Sequence, residues 1–360
     1  MGTSPTGHAD LARIRSEVGL ALAGFIGRQR RDLAGISADL LPCVDAIADL
    51  LAGGKRLRAA FCYWGWRGCG GADGPGIFAA AAALELLHAS ALVHDDVMDA
   101  SDTRRGQPAV HRRFAAGHES RRWLGSADSF GAGAAILVGD LLLAWTDELL
   151  RLSGLPDAAV RRGLAVLDAM RTEVFAGQFL DLLGQASGSS ALGSALRVVT
   201  YKSAKYTVER PLHLGAALAG AAPARRAATA FTGYGVPVGI AFQLRDDVLG
   251  VFGDPALTGK PVADDLREGK RTVLLAIARE RASAAQARVL DEAVGDPLLD
   301  EERADLVRNV ITGTGALAEC EQMIDNNVKE ALSALQAAPI TRDSRDALAE
   351  LAVAATFRAD

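Results

Sequence analysis

Apolar residues return every three or four positions along most of the chain, which is the spacing of one face of an α-helix. Residues 9–52 begin this pattern with Leu11, Ile14, Val18, Leu22 and Ile26. The same period recurs at 77–98, 134–152, 159–183, 194–220, 224–249, 271–293, 301–311 and 315–336. Breaks rich in glycine, proline or serine predict loops at 68–76, 125–133, 184–193 and 253–261. No segment alternates convincingly between apolar and polar residues, so the pattern predicts an all-α fold.

The length and charge of the chain narrow the class of protein. Its 360 residues are enough for one large domain, and no repeat divides them, so we predict a single domain over residues 1–360 with a flexible N-terminus at 1–8. The formal net charge is −5, which gives no support to nucleic-acid binding. We therefore expect no nucleic-acid partner.

The cysteines and the longest apolar runs indicate in which cellular compartment the protein is expected and whether it spans a membrane. None of the four cysteines forms a CxxC pair, so free thiols in a reducing cytoplasm are expected rather than zinc ligands or disulfides. The apolar runs near residue 140 are interrupted by Gly139 and Asp140, well short of the roughly 20 apolar residues of a membrane span. We expect a cytoplasmic protein without a transmembrane segment.

An acidic cluster ends the predicted helix 77–98, where the chain reads VHDDVMDASDTRRG. Asp95 and Asp99 lie one turn apart on one helical face, and Asp96 is adjacent. Like charges at this spacing destabilise a helix by a few tenths of a kcal/mol, and the helix dipole disfavours anions at its end. Carboxylates without histidine or cysteine partners suit Mg²⁺. The alternative from this cluster alone is a solvated acidic helix end.

A second acidic cluster follows another apolar helical run, in QLRDDVLGVFGD. Asp246 and Asp247 end that run, and Gln243 lies one turn earlier on their face. Helices that carry carboxylates can enclose metal ions in a bundle core. Two such helix ends predict metal ions held between them.

Basic residues stand near both acidic clusters. Taken one at a time they are ordinary surface charges, and the chain has no P-loop motif. Carboxylates for Mg²⁺ together with separate cations for phosphate oxygens nevertheless indicate a diphosphate site, and the cations form two sets. The first set is Lys55, Arg58 and Arg105, and the second is Lys202, Lys260 and Lys270.

The ordered set of motifs resembles the trans-isoprenyl diphosphate synthases of the polyprenyl synthetase family, and within it most the geranylgeranyl diphosphate synthases. The resemblance covers roughly residues 20 to 340 and includes GGKRLR, ELLHASALVHDDVMDASDTRRGQPAVH, GDLLLA, YKSAKYT, GIAFQLRDDVLGVFGD, TGKP and DDLREGKRT. It implies a helical bundle around a central cavity, a homodimer, and a prenyltransferase that joins isopentenyl diphosphate to dimethylallyl, geranyl or farnesyl diphosphate.

The resemblance also implies roles for individual residues. Two or three Mg²⁺ ions per site would be held by Asp95, Asp96, Asp99, Asp246 and Asp247. The groups that grip the allylic diphosphate would be Arg104, Lys202 and Lys260, assisted by Lys270. The pocket for isopentenyl diphosphate would contain Lys55, Arg58, His88 and Arg105. Arg104, Lys202, Ser203 and Gln243 would act in catalysis, the last two beside the developing carbocation.

Gly250 departs from the family pattern, because the second motif usually reads DDxxD. Asp254 is one turn further, but Pro255 follows it and argues against a continuous helix there. We expect Asp246 and Asp247, the first two aspartates of the motif, still to bind metal ions. Binding of the third Mg²⁺ ion is in question.

Product length is predicted from the residues just before the first acidic cluster. In the family a bulky aromatic residue there stops elongation, whereas this chain has the small residues Ser90 and Ala91. Leu87 lies about one turn deeper, and a turn of about 5.4 Å leaves room for another isoprene unit. We expect C20 geranylgeranyl diphosphate, with C15 and products of C25 or more as alternatives.

Two other classes of protein remain open. A terpene cyclase would carry an Asn/Ser/Glu metal triad and would not need a basic isopentenyl pocket. A non-catalytic subunit of a heteromeric synthase would usually lack an acidic motif, and only Gly250 favours that alternative. Activity of the purified chain alone separates the enzyme from the subunit.

Overall fold

The computed structural model describes residues 5–188, 191–253 and 264–356, and these residues are overwhelmingly helical. The all-α prediction is confirmed. The N-terminal elements are α1 (Pro5–Ile36), a 3₁₀ turn (Ala38–Leu40), α2 (Leu41–Leu51), α3 (Leu57–Gly68), α4 (Pro75–Met98), β1 (Thr103–Arg104), β2 (Gln107–Pro108), α5 (Val110–Ser120), α6 (Ala127–Arg151) and α7 (Asp157–Ser187). The later elements are α8 (Leu192–Val198), a π-helical segment (Val199–Glu209), α9 (Arg210–Ala219), α10 (Ala221–Phe252), α11 (Asp264–Arg267), α12 (Val273–Arg281), α13 (Ala284–Ala293), α14 (Glu301–Gly313), α15 (Ala316–Gln336) and α16 (Arg342–Thr356).

Contacts within the chain group its residues into two compact units. Unit 1 runs to Leu164 and includes Leu214–Ala221, and unit 2 contains Ala165–His213 and continues from Ala222. The expectation of a single domain over residues 1–360 stays a prediction. So does the flexible N-terminus at 1–8, of which residues 1–4 lie outside the described residues and residues 5–8 belong to α1.

The core of unit 1 is built on α4, which packs against α1, α3 and α6. Small side chains allow this close packing, since the alanines at 80–83 are all buried. At Gly139 of α6, an added Cβ would overlap the imidazole ring of His94, and its Cε1 would lie 2.7 Å away. The close approach of α4 and α6 therefore requires glycine at this position.

Two helices of unit 1, α4 and α6, have the length and apolar composition of a membrane span. In α4, 72% of the most apolar window is buried inside the protein, as in the core helix of a folded domain. In α6 the buried share is 39%. Two helices of this kind in the described part of the chain are weak support for a membrane span, so the expected absence of a transmembrane segment stays a prediction.

The core of unit 2 includes α10, whose residue Tyr234 is fully buried and donates its hydroxyl to the carbonyl of Leu348 at 2.7 Å. That bond ties α10 to α16. Gly239 of α10 lies against the π-helical segment, where an added Cβ would come within 2.7 Å of the Ala204 carbonyl oxygen.

Several predicted boundaries are wrong. The predicted helix 194–220 is divided into α8, the π-helical segment and α9. The predicted loop 125–133 is helical from Ala127, because Ser126 caps the helix by accepting a hydrogen bond from the Ser129 N–H. Gly131 lies inside α6 at its contact with α5. An added Cβ there would overlap the His111 carbonyl oxygen of α5, so the contact between the two helices requires glycine. Helix propensity makes glycine a helix breaker, but packing overrides it here.

Candidate active site

The first acidic cluster lies where α4 ends, in unit 1. Asp95 and Asp96 occupy its last turn, and Asp99 is the C-cap, whose N–H donates to the Asp95 carbonyl at 2.8 Å. The predicted helical face shared by Asp95 and Asp99 is confirmed, and both residues are half-buried. Asp96, in contrast, is only 2% exposed.

Asp96 is engaged by Arg104. The Arg104 Nε donates to Asp96 Oδ1 at 2.8 Å, and its Nη2 donates to the same oxygen. Burial raises the pKa of the Asp96 carboxyl, although the hydrogen bonds and charge of Arg104 oppose this effect. Asp96 therefore positions Arg104, and its predicted role as a metal ligand stays a prediction.

A short hairpin that was not predicted presents the two arginines. Strands β1 and β2 pair antiparallel, with Arg104 opposite Gln107. Arg105 and Gly106 form the two-residue turn with φ values of 54° and 73°, the positive φ that type I′ hairpins require. The dipeptide Arg-Gly between two short polar segments was the only signal for it in the sequence.

Asp102, the fourth aspartate of the stretch VHDDVMDASDTRRG, has a structural partner. The Arg112 Nε donates to Asp102 Oδ1 at 2.6 Å, and the Nη1 of the same arginine donates to Asp128 at 2.9 Å. Arg112 of α5 thus links Asp102, which precedes the hairpin, to Asp128 at the start of α6.

Guanidinium groups gather around His88 on α4. The pKa of His88 lies well below its usual range, because burial disfavours the imidazolium and because the charges of Arg58, Arg105 and Arg104 are close. Arg56 also contributes, although it pairs with buried Glu85 at 2.9 Å. The result is a neutral histidine among cations, an environment suited to an anion.

The GGKRLR loop fits around Arg105. An added Cβ at Gly54, whose φ is +109°, would lie 3.3 Å from Arg105 Nη2. The Nη1 of Arg105 donates to the Leu50 carbonyl at 3.1 Å.

Among the described non-glycine residues, those with positive φ are Arg56, Ala100, Arg105 and Arg122. All but the last lie beside predicted site residues, and such backbone strain clusters at functional sites. Lys55 is exposed in the same loop.

In unit 2 the predicted catalytic polar residues form a hydrogen-bonded chain. The Ser203 hydroxyl donates to Gln243 Oε1, and Gln243 Nε2 donates to Asp247 Oδ1 at 2.8 Å. Asp247 is 5% exposed, whereas Asp246 is half-buried. The chain of hydrogen bonds fixes the Gln243 amide with its oxygen toward the serine, and it links Asp247 of the second acidic cluster to the two residues that are predicted to stand beside the carbocation.

Burial raises the pKa of the Asp247 carboxyl from 3.8 to about 7, helped by the negative charges of Asp265 and Asp246 and opposed by the Gln243 hydrogen bond and Lys270. In the metal-free protein the folded state holds this proton between about pH 4 and pH 7, while the unfolded state has released it. The unfolding free energy contributed by this group therefore falls as pH rises through that window.

We expect Asp247→Asn to remove this pH dependence, because the amide stays neutral and still accepts from Gln243. Urea unfolding from pH 4.5 to 7.5 in metal-free buffer should show the wild type losing up to about 1.4 kcal/mol per pH unit relative to the variant. Parallel curves for the two proteins would contradict the raised pKa.

Two of the predicted site lysines of unit 2, Lys202 and Lys270, have acidic partners. Lys202 Nζ donates to Asp181 Oδ2 at 2.6 Å, and Lys270 Nζ donates to Asp265 Oδ1 at 3.0 Å. Lys270 also pairs with Glu268; although burial lowers the pKa of Lys270, these two carboxylates hold it above its ordinary value. Lys260 and Asp254 lie outside the described residues.

Sequence reasoning did not select Asp181 or Asp265. Asp181, in GQFLDLL of α7, is an acidic residue in an otherwise apolar stretch, which was the available signal. Asp265 lies in the motif DDLREGKRT, from which only Lys270 was selected.

Lys202 and Ser203 lie in the π-helical segment, and π-helical turns occur frequently at functional sites. Gly177 of α7 permits its close approach, since an added Cβ would lie 2.8 Å from both Lys202 Cα and the Tyr201 carbonyl carbon. We expect Gly177→Ala to lower the unfolding free energy by about 1–3 kcal/mol and to impair activity by displacing Lys202.

The control for Gly177→Ala is Gly184→Ala on the same helix, where an added Cβ meets nothing within 4 Å. Helix propensity predicts that this control gains up to about 1 kcal/mol. Urea denaturation and initial rates measure both variants. Equal effects at the two positions would show that the contact with Lys202 is unimportant.

The carboxylates suit Mg²⁺ in their chemistry. Across the described residues, no three acidic, histidine or cysteine side chains come together closely enough to hold a metal ion by themselves. Mg²⁺ usually takes one or two protein carboxylates and completes its shell with waters and substrate phosphates. Asp95 and Asp99 in unit 1 supply oxygen donors that fit a cation bound in this way, and so, within unit 2, do Asp246 and Asp247.

The residues predicted to limit product length lie on α4. Leu87 and Ser90 are buried, and Ala91 is half-buried. Of these three, Ala91 is the most exposed.

Comparison with known proteins gives consistent matches. The family model for polyprenyl synthetase matches residues 42–311. A geranylgeranyl diphosphate synthase of Mycobacterium tuberculosis is 34% identical over 343 residues, which is 93% of this chain and 91% of that protein. A geranylfarnesyl diphosphate synthase of Aeropyrum pernix is 32% identical over 302 residues, 82% of this chain and 88% of that protein.

The fold agrees with this similarity. The crystal structure of a geranylgeranyl pyrophosphate synthase from Corynebacterium glutamicum, complexed with isoprenyl diphosphate and magnesium, superposes with a TM-score of 0.92. The two sequences are 39% identical, and the match covers 97% of this chain and 99% of that one. The chain therefore belongs to the polyprenyl synthetase family and is a prenyltransferase that makes prenyl diphosphates.

Proposed function

We propose that this prenyltransferase condenses isopentenyl diphosphate with an allylic diphosphate and releases all-trans geranylgeranyl diphosphate as its main product. The observation that carries the proposal is the pairing, within unit 1, of the acidic end of α4 with the guanidinium groups around a neutral His88. The carboxylates, which would bind metal ions, suit the allylic diphosphate. The guanidinium groups of the same unit, which need no metal ion, suit a second diphosphate. Geranylgeranyl diphosphate synthases at 34% and 39% identity support the C20 product.

The cations of unit 1 would hold the diphosphates. Arg104, oriented by Asp96, donates to the allylic diphosphate. Arg58, Arg105 and exposed Lys55 bind isopentenyl diphosphate, and neutral His88 donates a hydrogen bond to it without adding charge. Binding of a dianion or trianion relieves the mutual repulsion of these cations, which favours the loaded state.

The residues of unit 2 would act on bond cleavage. Lys202, Lys260 and Lys270 donate to the leaving diphosphate as its negative charge grows. Two or three Mg²⁺ ions bound by the two acidic clusters would neutralise part of that charge. The oxygens of Ser203 and Gln243 face the carbocation, and an apolar cavity keeps water from capturing it. The double bond of isopentenyl diphosphate attacks the cation, and the departing diphosphate accepts the proton that is then lost.

The test of this function uses the purified chain with Mg²⁺, isopentenyl diphosphate, and dimethylallyl, geranyl or farnesyl diphosphate in turn. A dominant C20 product from each starter is expected. Products of C25 or longer would favour the alternative suggested by the 32% identical geranylfarnesyl diphosphate synthase. Cyclic hydrocarbons would indicate a terpene cyclase, and no elongation by the folded protein would indicate a non-catalytic subunit.

We expect Ala91→Phe to shorten the main product from C20 to C15. The aromatic ring would fill the space next to half-buried Ala91, and the growing chain would meet it one isoprene unit earlier. Ala91→Ser is the matched control and should keep the C20 product, because serine is nearly as small. Chain-length analysis by reversed-phase chromatography measures both. An unchanged C20 product in the Phe variant would place the end of the cavity elsewhere.

We also propose that the enzyme is a cytoplasmic homodimer. Its four cysteines are free thiols, as a reducing compartment favours.

Apolar side chains exposed on α6 and just before it offer a surface for a second copy of the chain: Leu124, Phe130, Ile136 and Leu137. Sedimentation equilibrium should give twice the chain mass, and Leu137→Lys should shift the equilibrium toward monomer.

A further inference from the structure

A buried ion pair lies beside the predicted isopentenyl diphosphate pocket of unit 1. Arg56 Nη1 donates to Glu85 Oε2 at 2.9 Å, and the two side chains are 9% and 5% exposed, respectively. A buried pair must offset the lost hydration of both ions, so burial alone is weak evidence that the pair serves stability. The backbone that the pair holds in place indicates a further role.

Arg56 connects the two ends of the loop between α2 and α3. It is the N-cap of α3, and its carbonyl accepts from the Ala60 N–H at 2.9 Å. Its Nη2 donates to the carbonyl of Leu51, the last residue of α2. The φ of Arg56 is +54°, a left-handed conformation that non-glycine residues rarely adopt. The contacts of its guanidinium group thus hold the loop closed in a strained conformation.

Glu85 connects this loop to the helix that carries the pocket histidine. Glu85 and His88 are three positions apart on α4 and lie on one face of it. Lys55 directly precedes Arg56, and Arg58 lies in the first turn of α3. An anchor between Arg56 and α4 therefore fixes the backbone from which both of these cations extend.

The ion pair also lies next to Arg105. Burial lowers the pKa of Arg105 below its ordinary value, the charge of Arg56 adds to this effect, and the charge of Glu85 opposes it. A carboxylate so near would by its charge alone weaken the binding of a diphosphate, because like charges repel. Its presence in a pocket that is predicted to bind an anion indicates a contribution other than charge.

We propose that Glu85 is a positioning residue for isopentenyl diphosphate: through Arg56 it holds the GGKRLR loop against α4, with Lys55 and Arg58 in place for the diphosphate. The proposal rests on the proposed function, since it assigns to that reaction a residue that acts on one of its two substrates. A positioning role and a purely electrostatic role predict opposite results when the charge of Glu85 is removed. Loss of position weakens binding, whereas loss of a negative charge alone strengthens it.

The first test is Glu85→Gln, which keeps the size of the side chain and leaves Arg56 buried without a counter-ion. We expect the KM for isopentenyl diphosphate to rise about tenfold or more, while kcat and the KM for farnesyl diphosphate stay within about threefold of wild type. Calorimetric titration of isopentenyl diphosphate into the protein without Mg²⁺ should show the same loss of affinity, apart from turnover.

The matched control is Glu148→Gln, in the same unit. It removes a carboxylate of α6 that pairs with Arg28 of α1 at 3.0 Å. Because this pair is partly exposed and neither residue is assigned to the pocket, both KM values should stay within about twofold of wild type.

The double variant Glu85→Leu/Arg56→Met separates position from stability, and it decides alone if Glu85→Gln does not fold. Neither charge is then left unpaired, so the resistance to urea should be close to that of wild type. The KM for isopentenyl diphosphate should still be raised about tenfold or more, because the loop lacks both the ion pair and the bond to the Leu51 carbonyl.

The outcomes separate this inference from the proposed function. An unchanged or lowered KM for isopentenyl diphosphate in Glu85→Gln would overturn the positioning role and leave the prenyltransferase reaction intact. Equal rises in the KM values of both substrates, or a double variant with wild-type KM values, would also overturn it, because the pair would then act on the fold alone. A wild-type protein that neither binds isopentenyl diphosphate nor elongates a starter would overturn both.

Discussion

Asp95→Ala is expected to lower the rate of chain elongation by about a thousandfold, which corresponds to about 4 kcal/mol of transition-state stabilisation lost with the proposed Mg²⁺ ligand. Its unfolding free energy should stay within about 0.5 kcal/mol of wild type, because Asp95 is half-buried at the C-terminal end of α4, where the helix dipole disfavours an anion. Initial rates with saturating substrates and urea denaturation measure the two quantities.

The matched variant is Asp96→Ala, one position further on the same helix. It should lose activity to a similar degree but also about 2–3 kcal/mol of unfolding free energy, because Asp96 is buried and accepts two hydrogen bonds from Arg104. A stable Asp96→Ala protein, or an Asp95→Ala protein that keeps a tenth of the activity, would contradict the division between a ligand and an orienting carboxylate.

Lys202→Ala is expected to reduce kcat/KM by about a hundredfold to a thousandfold, since it removes the proposed donor to the leaving diphosphate. It should also lower the unfolding free energy by about 2 kcal/mol, because the nearly buried Asp181 carboxylate would lose the ammonium group that lies 2.6 Å away. Steady-state kinetics and urea denaturation report these effects separately.

The double variant Lys202→Ala/Asp181→Asn separates catalysis from stability. Neutralising Asp181 removes the uncompensated charge, so the unfolding free energy should recover while the rate stays low. If activity returned together with stability, Lys202 would be a structural residue. If neither returned, the loss would lie in the π-helical segment that carries Lys202 rather than in its charge.

Much of the fold was predictable because helices are encoded locally. The three-to-four-residue apolar period places α4 at Pro75–Met98 and α15 at Ala316–Gln336 to within two residues of the predicted segments. Prediction was wrong where a neighbouring element decides the backbone. Ala127–Gly133 is helical despite two glycines, because Gly131 allows α6 to pack against the His111 carbonyl oxygen of α5.

The chain segment around Lys202 shows the same limit. Apolar spacing predicts one helix over 194–220, yet the backbone changes to a π-helix at Val199 and back to an α-helix at Arg210. Gly177 and Gly239, from two other helices, let their backbones approach this segment closely. Such contacts join residues more than 20 positions apart, so no local pattern contains them.

The sequence by itself determined the class of fold, the family and the inventory of carboxylates and cations, because helical periodicity and ordered motifs are properties of neighbouring positions. Only the tertiary structure decided what each of those charges does. It assigns Arg104 to Asp96, Lys202 to Asp181, and Arg56 to Glu85. The physical reason is that a buried charge is stabilised by whatever side chain folding brings within hydrogen-bonding distance, and that partner comes from elsewhere in the chain.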